Sequence, residues 1–169
     1  ASHDLGVKAT AIGLYMGVLY IIGMISGLIA GSFLSRYGVI RTCQVALLAA
    51  GLGLAISGAF PNWWIAIFSA CLIGIGVGPL NPAGSQLLAR HATTQWQPLV
   101  FSVKQTGTPI GGMLAGLILP PLMLFYNWQI AMITIAIIPL LTIIFIQPFR
   151  KELDNDRNPK YLISISGVL

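Results

Sequence analysis

Polar and apolar positions along this chain are sorted into blocks rather than interleaved. Long uncharged apolar runs are interrupted at residues 35–41, at Pro61-Asn62, at 90–98 and at Tyr126-Asn127, and they end near Phe149. A transmembrane barrel strand alternates polar and apolar residues over about ten positions; these runs are continuous instead. A helix crosses the hydrocarbon core with about 20 apolar residues. The pattern therefore predicts five membrane-spanning helices, at about residues 9–34, 43–60, 64–88, 99–125 and 128–149. The expected fold class is all-α, a polytopic transmembrane helical bundle over residues 1–149, followed by a polar tail over 150–169.

Charge agrees with lipid as the solvent. Charged residues are 8% of the chain, against about 25% in soluble domains. Between Thr10 and Phe149 only Arg36, Arg41, Arg90 and Lys104 are charged. The net charge of +5 sits mostly at the ends of apolar runs, where basic residues set orientation, and gives no reason to expect a nucleic-acid partner. All four acids lie outside the spans. No Ser-His-Asp set, phosphate loop or dinucleotide motif is present, so neither an enzyme nor a cofactor is expected. Cys43 and Cys71 read as small buried hydrophobes, and His91 has no neighbouring Cys, Asp or Glu to build a metal site.

The connections alternate in charge. Arg36 and Arg41, then Arg90, then Arg150, Lys151, Arg157 and Lys160 fall on one side, while the other side has Lys8 and two turns without a basic residue. The positive-inside rule puts the first set in the cytoplasm, with Trp63, Trp64 and Trp128 at the far interface. The fragment then starts outside, and a chain that begins Ala-Ser-His without Met is expected to be part of something longer.

Small residues and prolines recur within the spans. Gly13, Gly17, Gly23, Gly27 and Gly31 mark the first; Gly74, Gly76, Gly78, Pro79 and Pro82 the third; Gly107, Pro109, Gly111, Gly112, Gly116 and Pro120-Pro121 the fourth. Spacing of four stacks glycines on one face and lets backbones approach, and proline frees a carbonyl and bends the helix. Ordinary close packing and flexing during a transport cycle both fit.

Lys104 is the one ionisable group well inside a span. A charge at the membrane centre costs at least ~2.5 kcal/mol and marks a pathway or a partner. From a helix start near Pro98 it lies about 9 Å in, shallow enough to snorkel to the interface as an anchor. Alternatively it lines an aqueous cavity on a face shared with Thr108, Gly111 and Ala115, attracting an anion. Asn81 and Ser85, one turn apart beside Pro79 and Pro82, are the next candidates, with Gln105 and Gln86 as neighbours. Asn81 equally suits a structural role, satisfying carbonyls the prolines leave unpaired.

The run Gly31-Ser-Phe-Leu-Ser35-Arg36-Tyr-Gly38-Val-Ile-Arg41 resembles the loop signature of the major facilitator superfamily, Gly-x-x-x-Asp-Arg-x-Gly-Arg-(Arg/Lys), with Ser35 where the family usually has Asp. Residues 101–112 resemble the fifth helix of cyanate-permease-like members. The resemblance implies that the chain holds helices two to six of a twelve-helix transporter and the start of its central cytoplasmic loop, without helix one and the C-terminal half. It implies a gating loop at Gly31, Arg36, Gly38 and Arg41, in the cytoplasmic (inner) membrane. The expected function is a secondary active permease or symporter moving a small solute by alternating access, an organic or inorganic anion on the strength of Lys104. Substrate-binding residues are then Lys104, Asn81, Thr108, Gln105 and Ser85. An efflux carrier for amphipathic compounds and a non-transporting membrane scaffold are the alternatives.

Overall fold

Each apolar block forms one helix in the computed structural model, which describes residues 10–93 and 95–153. The helices are α1 (Thr10–Tyr37), α2 (Val39–Ala59), α3 (Trp63–His91), α4 (Gln97–Phe125) and α5 (Trp128–Ile146), followed by a 3-10 turn (Gln147–Phe149) and the short α6 (Arg150–Leu153). Among the described residues, α1 to α5 are long and apolar enough to cross a bilayer. Their 19 to 29 residues correspond to about 29–44 Å at 1.5 Å per residue, enough for a core about 30 Å thick. Most of the expected 150–169 tail, and Lys8, lie outside the described residues.

The helix ends show how local chemistry breaks each run. Pro61-Asn62 starts α3, with the Asn62 side chain accepting from the Trp64 amide at 2.9 Å, which satisfies one of the first-turn N–H groups. Pro98 sits in the first turn of α4, where its missing N–H costs nothing. The α1–α2 connection is tighter than the turn expected over residues 35–38. Helix continues through Ser35, Arg36 and Tyr37 and restarts at Val39, four residues before the expected span. Gly38 alone, at φ 92°, reverses the chain, in a conformation glycine adopts without a Cβ clash. Its carbonyl accepts from the Thr42 hydroxyl at 2.8 Å.

Contacts between helices set their directions. Gly23 lies against Gly74 and Gly27 against Gly78, so α1 and α3 run parallel. Gly53 meets Ser69 and Ile73, and Gly76 meets Ala46 and Ala50, so α2 opposes α3. Gly51 against Ala136 and Gly58 against Gln129 make α2 and α5 antiparallel. Arg36, Arg41, Arg90 and Arg150 therefore gather at one end, called here the basic end.

α3 is the hub. It packs along α1 on one side and α2 on another, and α2 carries α5. α1 and α2, joined through one residue, touch each other little and meet instead on α3. Beside Leu34, Val39, Ile40 and Ile73, the buried interior is predominantly small residues, Ala30, Ala46, Ala66, Ala70, Ala83, Ala131 and Ala136 with Ser69. Such residues let helices approach in a solvent that gives apolar side chains no reason to leave it. α4 has no buried residue.

Candidate functional site

Several hydroxyls bond within their own helix. Ser35, Ser102, Thr134 and Thr142 each donate to the carbonyl four residues back, a local arrangement that uses the one O–H donor. Ser69 of α3 is buried without a hydrogen-bond partner, and two other serines reach beyond their own helix. Ser26 of α1 donates to the Gly23 carbonyl of its own helix and to the Gly74 carbonyl of α3, both at 3.1 Å. Ser85 of α3 accepts from the ammonium of Lys104.

That ammonium is the centre of the candidate site. Lys104 Nζ lies 2.7 Å from Ser85 Oγ and 3.0 Å from the Asn81 carbonyl oxygen. Gly84 leaves room for the approach, since a Cβ there would stand a tight 3.2 Å from Lys104 Cε. Lys104 is seven residues into α4 and Asn81 is ten residues from the end of α3, depths of about 10 and 15 Å from the basic end. The side chain thus reaches across to a neighbouring helix and does not turn outward to the interface. Two neutral dipoles engage an ammonium that has three N–H donors, and no carboxylate occurs between Thr10 and Phe149 to neutralise it. A cation held at this depth by a carbonyl and a hydroxyl can accept an anionic group as its third partner.

The other expected residues are placed differently. Asn81 contributes its backbone oxygen to Lys104, while the residue as a whole is exposed. Gln105 and Thr108 belong to a stretch of α4, residues 105–114, in which every position is exposed; they are near the ammonium in sequence and are not bonded to it. The partly buried positions of α4 are Gln97, Val100, Phe101 and Lys104 at one end and Ala115, Leu119 and Leu122 toward the other. α4 meets the bundle near its ends and stands off between them, around Pro109. Gln86, two residues from Gly84 and so on the opposite side of α3, faces away from Lys104, and its Oε1 is buried without a partner.

In the α1–α2 signature, Gly31 and Arg36 are helical, Arg36 lies 5.4 Å from the centre of the Tyr37 ring, and Tyr37 stacks on Phe33 at 5.8 Å. Gly38 makes the turn between the helices, and Arg41 lies in α2's first turn. Sequence reasoning did not find the Ser26 bond or the bond between Gln44 of α2 and Gln147 beyond α5. A hydroxyl set between Gly23 and Gly27 was the available signal for the first; nothing local signalled the second.

A model of the Major Facilitator Superfamily matches residues 1–162 of this chain. The chain is 28% identical over 152 residues to the hexuronate transporter of Bacillus subtilis (strain 168), an alignment covering 88% of this chain and 35% of that protein. It is 28% identical over 145 residues to the probable L-galactonate transporter of Escherichia coli (strain K12), covering 80% of this chain and 30% of that protein. The chain thus spans about a third of the length of these relatives. No solved structure matches it.

Proposed function

Since the chain belongs to the major facilitator superfamily, we propose that it is the part of a secondary active transporter that supplies one wall of the path for a small sugar-acid anion. The observation carrying this reading is Lys104, an ammonium bonded to the Asn81 carbonyl and Ser85 with no carboxylate beside it among the described residues. A substrate carboxylate is the natural third partner, since charge-assisted hydrogen bonds are roughly twice as strong as neutral ones. The hydroxyls of a sugar acid need further polar partners, and Ser85, Thr108, Gln105 and the Asn81 side chain lie within a few turns of the cation along α3 and α4. The work is binding and release, without a covalent step.

The sugar-acid class is taken from the two relatives, whose printed substrates are hexuronate and L-galactonate. It replaces the cyanate-permease-like branch suggested by residues 101–112 as the preferred reading, and both are carriers of small anions. The five helices act as helices two to six, together with a first helix and a C-terminal half, in a cytoplasmic membrane with the basic end inside. Alternating access by rocking of two bundles about a midplane site suits this wall, in which α3 and α4 stay continuous through their internal prolines, and the 31–41 connection takes the gating role.

Uptake of labelled hexuronate and L-galactonate into proteoliposomes, by the complete polypeptide that carries this sequence, tests the assignment. Lys104→Gln is expected to reduce uptake at least about tenfold, the loss of roughly 1.4 kcal/mol or more from a charge-assisted bond. Uptake unchanged by Lys104→Gln would reduce Lys104 to an α3–α4 strut.

A further inference from the structure

The face of α3 turned away from Lys104 carries a second feature. A cavity of about 440 Å³ lies between α1 and α2 with α3 as its floor. Ile29, Phe33, Val45 and Ile75 line it, and Tyr37 and Arg41 stand at its basic end. Ile75 and Gly84 are nine residues apart, two and a half turns, so this groove and the Lys104 cluster occupy opposite sides of the same helix. The groove exists because Gly38 joins α1 to α2 through one residue while both helices rest on α3 and touch each other little.

Its length and its charge identify an occupant. Along α1 it extends from Tyr37 to Ser26, eleven residues or about 16 Å, which is about one leaflet of a 30 Å core. On α1 the lining stops at Ser26. A lipid acyl chain needs one leaflet and no more. The lining is almost wholly apolar, and Arg41, exposed at the end where the headgroups lie, provides the charge that a phosphodiester seeks.

We propose that the α1–α2 groove binds one anionic phospholipid from the leaflet at the basic end, with an acyl chain between Phe33 and Val45 over Ile75 and the phosphate at Arg41. The site depends only on the helices crossing a bilayer and is independent of the solute carried. A lipid wedged there braces the Gly38 turn from the side opposite the candidate solute path.

Native mass spectrometry of the complete polypeptide, purified in mild detergent with equal phosphatidylglycerol and phosphatidylethanolamine, tests the proposal. One phosphatidylglycerol per chain should survive detergent exchange that strips phosphatidylethanolamine. Arg41→Gln should lower its retention about fivefold, the weight of one basic residue at a membrane surface, and abolish the preference, while Arg41→Lys keeps both. Val45→Trp, which fills the groove from an exposed position, should remove the retained lipid with the elution profile unchanged. Equal retention of the two lipids by the unaltered protein would overturn the proposal. So would retention insensitive to both Arg41→Gln and Val45→Trp, the result expected if a protein segment fills the groove. If Val45→Trp does not fold, the Gln and Lys variants of Arg41 decide the matter alone.

Discussion

α3 and α4 are both 29 residues long, both carry several glycines and both contain internal prolines, yet they do opposite things. The glycines of α3 are contact points. A Cβ at Gly74 would stand 2.6 Å from the Leu19 carbonyl oxygen, one at Gly78 would meet Ser26 Oγ and the Gly23 carbonyl, and one at Gly76 would meet the Ala46 carbonyl. α1 lies against Gly74 and Gly78 and α2 against Gly76, so alternate positions on one helix hold two neighbours. At Gly107, Gly111, Gly112 and Gly116 of α4 a Cβ would meet nothing within 4 Å, and Leu124 is 84% exposed. Small residues are thus a packing device in α3 and leave a bare surface on α4. α3 is a fixed post, and α4 leans on it through the Lys104 bonds near one end.

Three substitutions probe that contrast, each read as the thermal midpoint of the complete polypeptide in detergent. Gly78→Leu has the largest expected effect, because backbone of α1 occupies the space and cannot rotate away. Overpacking of this kind costs about 3 kcal/mol, seen as a large fall in midpoint or loss of folded protein. A variant that folds with an unchanged midpoint would mean that α1 is not seated on α3. Ser26→Ala removes an α1-to-α3 hydrogen bond and should cost about 0.6 kcal/mol, the average for such bonds in a membrane bundle. A cost near that of Gly78→Leu would shift the weight from close packing to polar contact. Among the described residues a Cβ at Gly111 meets nothing within 4 Å, so unless a segment outside this chain packs there Gly111→Ala should change stability least, by under about 1 kcal/mol and in the stabilising direction, since alanine is the better helix former. A loss comparable to that of Gly78→Leu would show α4 packed as closely as α3 and end the comparison.

The candidate site was only half legible in advance. Lys104 stood out because a lone charge inside an apolar run is costly wherever the helix faces, and Ser85 and Asn81 stood out as polar groups beside prolines. Their meeting on Lys104 was decided by packing, which brought in Asn81 through its backbone oxygen and left Thr108 and Gln105 apart. A sequence records the backbone carbonyl at every position alike, so no residue type could announce which one would be used. The glycine rows misled in a similar way. Gly31 continues the four-residue spacing of Gly23 and Gly27, and only the latter two lie within 4 Å contact range of α3.

What this sequence determined alone is the number of helices, their approximate limits and the gathering of basic residues at one end. Those follow from transfer of each segment between water and lipid, an energy that depends on the segment's own residues. Only the tertiary structure decided that α3 is the hub, that Gly38 is the whole of the first connection, that Lys104 crosses to α3, and that α1 and α2 part to form a groove. Each of these is a relation between residues far apart in the chain. In a solvent as apolar as the side chains themselves, such relations are settled by shape and by a few polar bonds, neither of which leaves a periodic mark.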